Sequence, residues 1–238
     1  MILVIVLVLL LFAGQAIESW RYVQPAAPGE LLYLAAFDGF TDEWRLYAGR
    51  LSAEVVDSAL RLSVGDVQSG PYSEAQPNFA DFDVRVEATP LEGPLNNAYG
   101  LIFRLYDRDT FYLFLVSSDG YYRVSRRVNG TEHILSNWIR APLVHEGLNV
   151  TNHLRVIARG THFQFYINDQ VAPLCIPDDP NGESTYRMGQ CVGGTMQDEL
   201  VDNSITMGQL GVIAQTLDEP NVVVAFDNLL VFGPEIEP

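Results

Sequence analysis

The sequence predicts an all-β protein, a two-sheet antiparallel sandwich, with one N-terminal transmembrane helix in front of it. Short runs of β-branched and aromatic residues recur from about residue 31 to residue 232, and Gly, Asn and Asp separate most of them. An apolar run opens the chain. We therefore interpret residues 1–22 as an anchor, the proline-containing residues 23–30 as a linker and residues 31–238 as the sandwich.

The proposed anchor begins with unbroken apolar residues at 1–14, which Ala16 and Ile17 extend to about 17 residues, the lower limit for a membrane span. Trp, Arg and Tyr follow at 20–22, where an interfacial belt would lie. A cleaved signal peptide is the alternative, with small residues at 14–16 as its cleavage site, although no basic segment precedes the apolar run. A processed terminus that packs in a filament core is a third interpretation.

Twelve segments carry the strand pattern. Residues 81–88 alternate polar and apolar side chains, as in a strand with one wet face and one packed face. Asn129 and Gly130 join two runs as a tight hairpin turn would. The candidate strands lie at 31–37, 52–56, 59–64, 81–89, 97–105, 110–117, 121–128, 131–136, 152–158, 161–167, 208–215 and 221–232.

The segment 99–128 reads as a three-stranded meander, with turns at residues 107–109 and 117–120. Apolar side chains occupy both faces of its middle run: Phe111, Leu113 and Leu115 on one, Tyr112, Phe114 and Val116 on the other. This pattern is typical of a strand in the middle of a packed sheet.

The β pattern lapses at 175–206, and a long polar loop is expected there. Loops of this length in compact domains are uncommon and are usually functional or tied down. The only two cysteines, Cys175 and Cys191, lie in it with 15 residues between them. We predict a disulfide, worth about 3 kcal/mol in the chain-entropy treatment; free thiols or half of a metal site are the alternatives. A disulfide would place the domain outside the cytoplasm.

The charge is strongly acidic. Asp and Glu number 30 against 14 basic residues, all arginine, for a net charge of −16. Such a surface repels nucleic-acid phosphates, so a nucleic-acid partner is excluded. Solubility is the simplest reason for the charge.

No catalytic motif is recognised. Asp81, Asp83 and Glu87 share one strand face, but Arg85 lies between them, and we interpret this as a solvated face rather than the paired carboxylates of a glycosidase. A Gly-x-Ser-x-Gly nucleophile elbow is absent from the sequence.

Metal binding has weak support. The four histidines have no metal-binding spacing and are expected at the surface: His133, His145, His153 and His162. Oxygen ligands in the long loop could collect Ca²⁺, although their order matches no calcium loop: Asp178, Asp179, Asn181 and Asp202. No cofactor is predicted.

With no catalytic motif and weak support for a metal, ligand binding on a sheet face is the function that remains. Aromatic platforms with polar neighbours are the general design of a sugar or small-molecule site. The candidate ligand-binding residues lie in or beside the meander: Arg104, Tyr112, Tyr122, Arg126 and Trp138. The alternative is that the aromatic side chains pack in the core and the arginines pair with carboxylates.

Four segments resemble the concanavalin A-like lectin and glucanase jelly rolls, in particular laminin-G-like and 3-keto-disaccharide-hydrolase-like modules of exported bacterial proteins. They are FDGFTDEW at 37–44, YGLIFRLYDRDTFYLFLVSSDGYYRVSRRVNG at 99–130, WIRAPLVHEGLNVTNHLRVIARGTHFQFYINDQ at 138–170 and GQLGVIAQTLDEPNVVVAFDNLLVF at 208–232. The resemblance covers about residues 31–232. It implies two curved antiparallel sheets with ligands on the concave face or its rim. The catalytic carboxylate motif of the glucanase members is missing.

Two functions follow as expectations. The first is a membrane-anchored, extracytoplasmic, non-catalytic sandwich that binds carbohydrate or another surface ligand. The second is an accessory subunit of a membrane complex or filament, with the apolar helix packed against other subunits. A glycan, the membrane and neighbouring subunits are therefore the expected partners, and an enzyme is ranked third.

Overall fold

The computed structural model describes residues 26–39, 43–180 and 182–235. These residues contain nineteen strands and no helix that could span a membrane. The predicted anchor at residues 1–22 lies outside them. The all-β part of the prediction is confirmed.

The strands follow one another in short steps, as the turn residues predict. Their bounds are β1 Leu31–Ala35, β2 Leu51–Val56, β3 Ala59–Val64, β4 Tyr72–Phe79, β5 Phe82–Glu92, β6 Asn97–Asp107, β7 Thr110–Val116, β8 Tyr121–Val128, β9 Thr131–Arg140, β10 Asn152–Arg159, β11 His162–Ile167, β12 Gln170–Val171, β13 Leu174–Pro177, β14 Thr185–Arg187, β15 Gln190–Val192, β16 Gly194–Gln197, β17 Leu200–Val201, β18 Gly208–Thr216 and β19 Val222–Phe232.

The described strands form two large antiparallel sheets. The nine-stranded sheet has the order β12-β11-β10-β5-β19-β3-β2, with β1 paired to β19 and β17 paired to β11. The six-stranded sheet has the order β4-β18-β6-β7-β8-β9. The last two long strands, β18 and β19, pair with strands from the first half of the chain, so distant segments close both sheets.

The core lies between the two sheets and follows the pleat. On β7, Tyr112, Phe114 and Val116 point inward into the main hydrophobic cluster. The Tyr112 ring stacks on Phe103 with 5.2 Å between centroids. The alternate β7 residues lie on the outer face of the six-stranded sheet, in a second apolar cluster that includes Leu113. The prediction that β7 is apolar on both faces inside a sheet is confirmed.

All twelve predicted strands overlap an observed strand, but β4 was not predicted. It reads YSEAQPNF, and Glu74, Gln76 and Pro77 break the strand composition. Because β4 is an edge strand of its sheet, a proline is tolerated there.

The expectation of a long loop without regular structure is wrong. Residues 174–201, which we call the hairpin excursion, hold β13 paired with β16 and, nested inside it, β14 paired with β15. The predicted disulfide is confirmed: Cys175 on β13 is bonded to Cys191 on β15, with their Cα atoms 5.4 Å apart. Strands of two to four residues are too short to show an alternating pattern in the sequence.

The solvated-face interpretation is wrong for Asp83, which is buried. Its carboxylate accepts hydrogen bonds at 2.7 Å from Arg85 and from Arg155. The pairing of β10 with β5 places Arg155 directly opposite Arg85, so both guanidinium groups reach the same carboxylate. Only the long-range strand pairing supplies the second arginine.

Candidate functional site

Arg104, the first predicted ligand-binding residue, is buried at 1% exposure. Its guanidinium donates to the carbonyl oxygens of Ile205 and Gly160, both at 2.7 Å, and to that of Ala80 at 3.0 Å. It also lies 4.6 Å from the centroid of the Phe163 ring. Burial lowers the pKa of Arg104. This arginine therefore joins the two sheets and meets no solvent-facing surface.

Tyr112 and Arg126 converge on Asp202, just beyond the hairpin excursion. The Tyr112 hydroxyl donates to Asp202 Oδ1 at 2.5 Å, and Arg126 forms an ion pair with Oδ2. The backbone N–H of Ser204 donates to the same carboxylate at 2.8 Å. Burial raises the Asp202 pKa, but the hydrogen bonds from Tyr112 and Ser204 and the charge of Arg126 hold it below its ordinary value.

Tyr122 is buried as well, and its hydroxyl donates to the Pro173 carbonyl oxygen at 2.6 Å. Burial raises its pKa. Pro173 precedes the hairpin excursion, and the Asp202 and Ile205 contacts follow it. Four of the five predicted residues thus fasten the two ends of the excursion to the sandwich. They do not form an exposed platform.

Trp138 is the exception, because it packs with the apolar cluster on the outer face of the six-stranded sheet. A groove of about 520 Å³ lies over this face. We call it the outer groove. Its lining residues are Gln68, Ser69, Gly70, Tyr72, Arg108, Phe111, Leu113, Arg123, Ser125, Arg126, Arg127, Glu132, Ile213, Gln215, Thr216, Leu217 and Asp218.

Strand pairing explains why these side chains meet. Leu113 on β7 lies opposite Ser125 on β8, and Phe111 lies opposite Arg127. Since a strand alternates its faces, Arg123 takes the outer face with them. Apolar side chains from the middle strands therefore form the floor, and polar and aromatic side chains rise around it.

Aromatic rings and arginine side chains contact one another in and beside the groove. The Tyr72 and Phe111 rings lie 6.3 Å apart between centroids, and the Arg127 guanidinium lies 5.8 Å from the Phe111 centroid. The Arg123 guanidinium lies 5.1 Å from the Trp138 ring. Aromatic faces held in place in this way suit stacking against the apolar face of a ligand ring.

Two polar atoms at the groove have no hydrogen-bond partner among the described residues: the Ser125 hydroxyl oxygen and Arg123 Nε. Ser125 is buried at 1% exposure. A buried polar group without a partner costs about 1–3 kcal/mol, so each one calls for an explanation. The residues that carry both atoms line the groove.

The loop before β4 forms one wall of the groove and is fixed by Thr216. The buried Thr216 hydroxyl accepts from Ser69 N–H at 3.1 Å and donates to the Asp66 carbonyl oxygen at 2.5 Å. Gln68 N–H donates to the Leu217 carbonyl oxygen at 3.1 Å. These bonds make the wall a defined part of the fold.

A smaller cavity of about 160 Å³ shares the lining residue Leu217 with the groove. Trp138 and Tyr121 line it together with polar residues that include Asn96 and Asp119. It thus pairs aromatic rings with amide and carboxylate groups, the combination that orients a sugar ring.

The expected calcium ligands are not gathered into one site. Asp202 is occupied by Tyr112 and Arg126, and Asp178 accepts from the Thr195 hydroxyl at 3.0 Å. Asn181 lies outside the described residues. Within the described ranges, no group of three or more metal-ligating side chains was found.

The two packed antiparallel sheets define the class: this chain has the concanavalin A-like jelly-roll fold that the sequence resemblance implied. No family model and no curated protein sequence matches the chain. Solved structures do match. The carbohydrate-binding module CBM66 from Bacillus subtilis has a TM-score of 0.54 at 16% identity, over 79% of this chain and 93% of that one.

Two further structures show the same fold. A protein of unknown function with a galectin-like fold from Bacillus subtilis has a TM-score of 0.57 at 14% identity, over 87% of this chain and 97% of that one. A β-glucanase from Bacillus licheniformis has a TM-score of 0.55 at 8% identity, over 87% and 99%. At these identities the likeness establishes the fold alone.

On β8, sequence reasoning named Tyr122 and Arg126, whose side chains bind Pro173 and Asp202. It did not name Arg123, Ser125 and Arg127, which also line the outer groove. The alternation of inward and outward side chains along β8 was the available signal, because it separates Tyr122 and Arg126 from the outward residues. Tyr72 carried no such signal, because its strand was not predicted.

Proposed function

We propose that this protein is a non-catalytic carbohydrate-binding module whose ligand occupies the outer groove. The observation that carries the proposal is the built site itself: aromatic rings over an apolar floor, with a buried Ser125 hydroxyl that has no partner in the described part of the chain. Its volume of about 520 Å³ lies within the usual range for ligand pockets, about 300–1,000 Å³. The fold shared with a carbohydrate-binding module is consistent with this role.

Binding without catalysis is proposed because the middle of the groove is apolar. Glycoside hydrolysis needs two carboxyl groups about 5–9 Å apart on either side of the scissile bond. The central outward positions of β7 hold Phe111 and Leu113. Glu132, one of the carboxylates that line the groove, is paired with Arg123 at 2.9 Å. A reducing-sugar assay on any bound polysaccharide would test this part, and release of product would overturn it.

The binding test is calorimetric titration against a panel of neutral and acidic oligosaccharides. Truncation of an aromatic side chain, Tyr72→Ala in the groove or Trp138→Ala in the smaller cavity beside it, should weaken binding by about 1–2 kcal/mol, roughly tenfold. Tyr106→Ala is the matched control, since Tyr106 is 73% exposed and does not line the groove. Normal binding by both variants, each correctly folded, would overturn the site, and absence of binding to the whole panel would overturn the function.

We further propose that the module is exported and held at the membrane by residues 1–22. The apolar run in the sequence and the disulfide, which persists in oxidising compartments, support this location. The intact mass of the membrane-extracted protein tests whether the segment is retained. Cys175 and Cys191 should resist thiol labelling until a reductant is added.

The accessory-subunit alternative stays a prediction. Native mass in mild detergent distinguishes it from the binding module, because a subunit would leave the membrane with its partners.

A further inference from the structure

We propose that the outer groove selects an acidic saccharide, and that Arg127 binds its anionic group with the help of Arg123 and Ser125. This inference rests on the proposed function and deepens it. The residues that line the groove include four arginines against two carboxylates, Glu132 and Asp218. Two of the arginines, Arg126 and Arg108, are paired with Asp202 and Asp109, which do not line the groove. The whole chain has the opposite balance, with 30 acidic residues against 14 arginines.

Arg127 is the cation that is free to bind. Its guanidinium lies over the Phe111 ring, 5.8 Å from the centroid, and it pairs with no carboxylate in the described part of the chain. The Phe111 ring lies beside the guanidinium, and both residues line the groove. A planar guanidinium fork matches the two oxygens of a carboxylate or sulfate.

Arg123 supports the same charge preference. One of its terminal nitrogens is paired with Glu132 at 2.9 Å, while Nε is buried without a hydrogen-bond partner among the described residues. The Ser125 hydroxyl lies on the same outer face of β8, between the two arginines in sequence. An oxyanion that bridges Arg127 and Ser125 would therefore satisfy donors that the fold leaves open.

The net charge of −16 does not prevent this. At physiological ionic strength the Debye length is about 8 Å, so a bound group responds mainly to the charges that line the groove. A long polyanion would meet the acidic surface outside it. The ligand class that fits best is a short stretch of saccharide with a carboxylate or sulfate group at the Arg127 position.

The test compares tetragalacturonate with its fully methyl-esterified form by calorimetric titration of the full chain. We expect tetragalacturonate to bind more tightly, and its advantage to shrink as NaCl is raised from 50 mM to 500 mM. Arg127→Gln should weaken tetragalacturonate binding about tenfold or more, since hydrogen bonds to charged groups are the strong ones. The affinity for the ester should change less than twofold.

Two variants complete the design. Arg127→Lys, which keeps the charge and loses the fork, should retain part of the affinity. Arg61→Gln removes an arginine of the nine-stranded sheet that pairs with Asp57, and it should leave all affinities unchanged. Melting temperatures of the variants show that each remains folded.

The outcomes separate the two proposals. Equal affinity for the acid and its ester, or an Arg127→Gln variant that binds the acid normally, would overturn the acidic preference and leave carbohydrate binding intact. Failure to bind any saccharide would overturn both. A sulfated tetrasaccharide of the same length identifies the anionic group: a preference for either the carboxylated or the sulfated probe supports the proposal, provided that it depends on Arg127.

Discussion

Asp202 gives the sharpest test of how the hairpin excursion is held to the sandwich. Substitution by Ala removes an acceptor from the Tyr112 hydroxyl, from the Ser204 N–H and from Arg126. The side chain of Asp202 is only 6% exposed, so little water can replace it. We therefore expect the Asp202→Ala variant to lose much of the fastening at this end of the excursion.

The magnitude follows from the separate contacts. A hydrogen bond to a charged group is worth about 1.5–3 kcal/mol and a neutral donor left unpaired costs about 1–3 kcal/mol. The Arg126 side chain is 26% exposed, so its ion pair is discounted for solvent. A loss of about 3 kcal/mol is expected. For a chain of this size that lowers the melting temperature by about 6 to 12 °C.

Differential scanning calorimetry is the assay, with Asp178→Ala as the matched control. Asp178 is an exposed carboxylate in the same excursion and accepts from the Thr195 hydroxyl. The control should melt within about 2 °C of the wild type, as surface substitutions usually do. If Asp202→Ala also melts within that margin, the carboxylate does not hold the excursion and the reasoning is refuted.

The stability that Asp202 contributes depends on pH in a definite direction. Although burial raises the pKa of Asp202, its hydrogen bonds and Arg126 hold it below the ordinary value. A carboxyl group with a lowered pKa in the folded state stabilises the protein above its unfolded pKa of about 3.9 and loses that contribution as pH falls. The difference between wild type and Asp202→Ala should therefore be full at pH 7 and shrink below about pH 4.

Three further predictions concern the framework. Cys175→Ser with Cys191→Ser should cost about 3 kcal/mol in urea unfolding, and an unchanged midpoint would contradict the entropic account. The pKa of Asp83 is lowered: burial raises it, but the hydrogen bonds from its two arginines outweigh this. Asp83→Asn should therefore destabilise at pH 7, and the urea midpoints should converge below about pH 4; a constant difference would argue against the ion pairs. Gly100→Ala should prevent folding, since its φ of 156° and a clash with a carbonyl oxygen of β7 exclude a side chain; a native circular dichroism spectrum would contradict this.

Much of the fold was predictable because the relevant signals are local. Alternation with a period of two located the long strands other than β4, and β7 was recognised from apolar residues on both faces. Cysteine count and spacing indicated the disulfide between Cys175 and Cys191. The short strands of the hairpin excursion were missed because two to four residues are too few to show an alternation of apolar and polar side chains.

The function of individual side chains was less predictable. Arg104, Tyr112 and Tyr122 have the composition of a binding platform, yet each binds the protein's own backbone or carboxylate. The outer groove exists only because β4 and β18 pair with the meander strands in one sheet, and this pairing joins segments far apart in the sequence. Of the five predicted residues, Trp138 alone has its side chain in the outer-face cluster.

The sequence by itself determined the long strands other than β4, the turns between them and the cysteine pairing, because each depends on neighbours along the chain or on a simple count. Only the tertiary structure decided which face of the meander is open. The partner of Tyr112 is Asp202, 90 residues away, and Arg104 meets Ile205 across 101 residues. A sheet face is filled or left free by such distant segments, and no local pattern records which face they will cover.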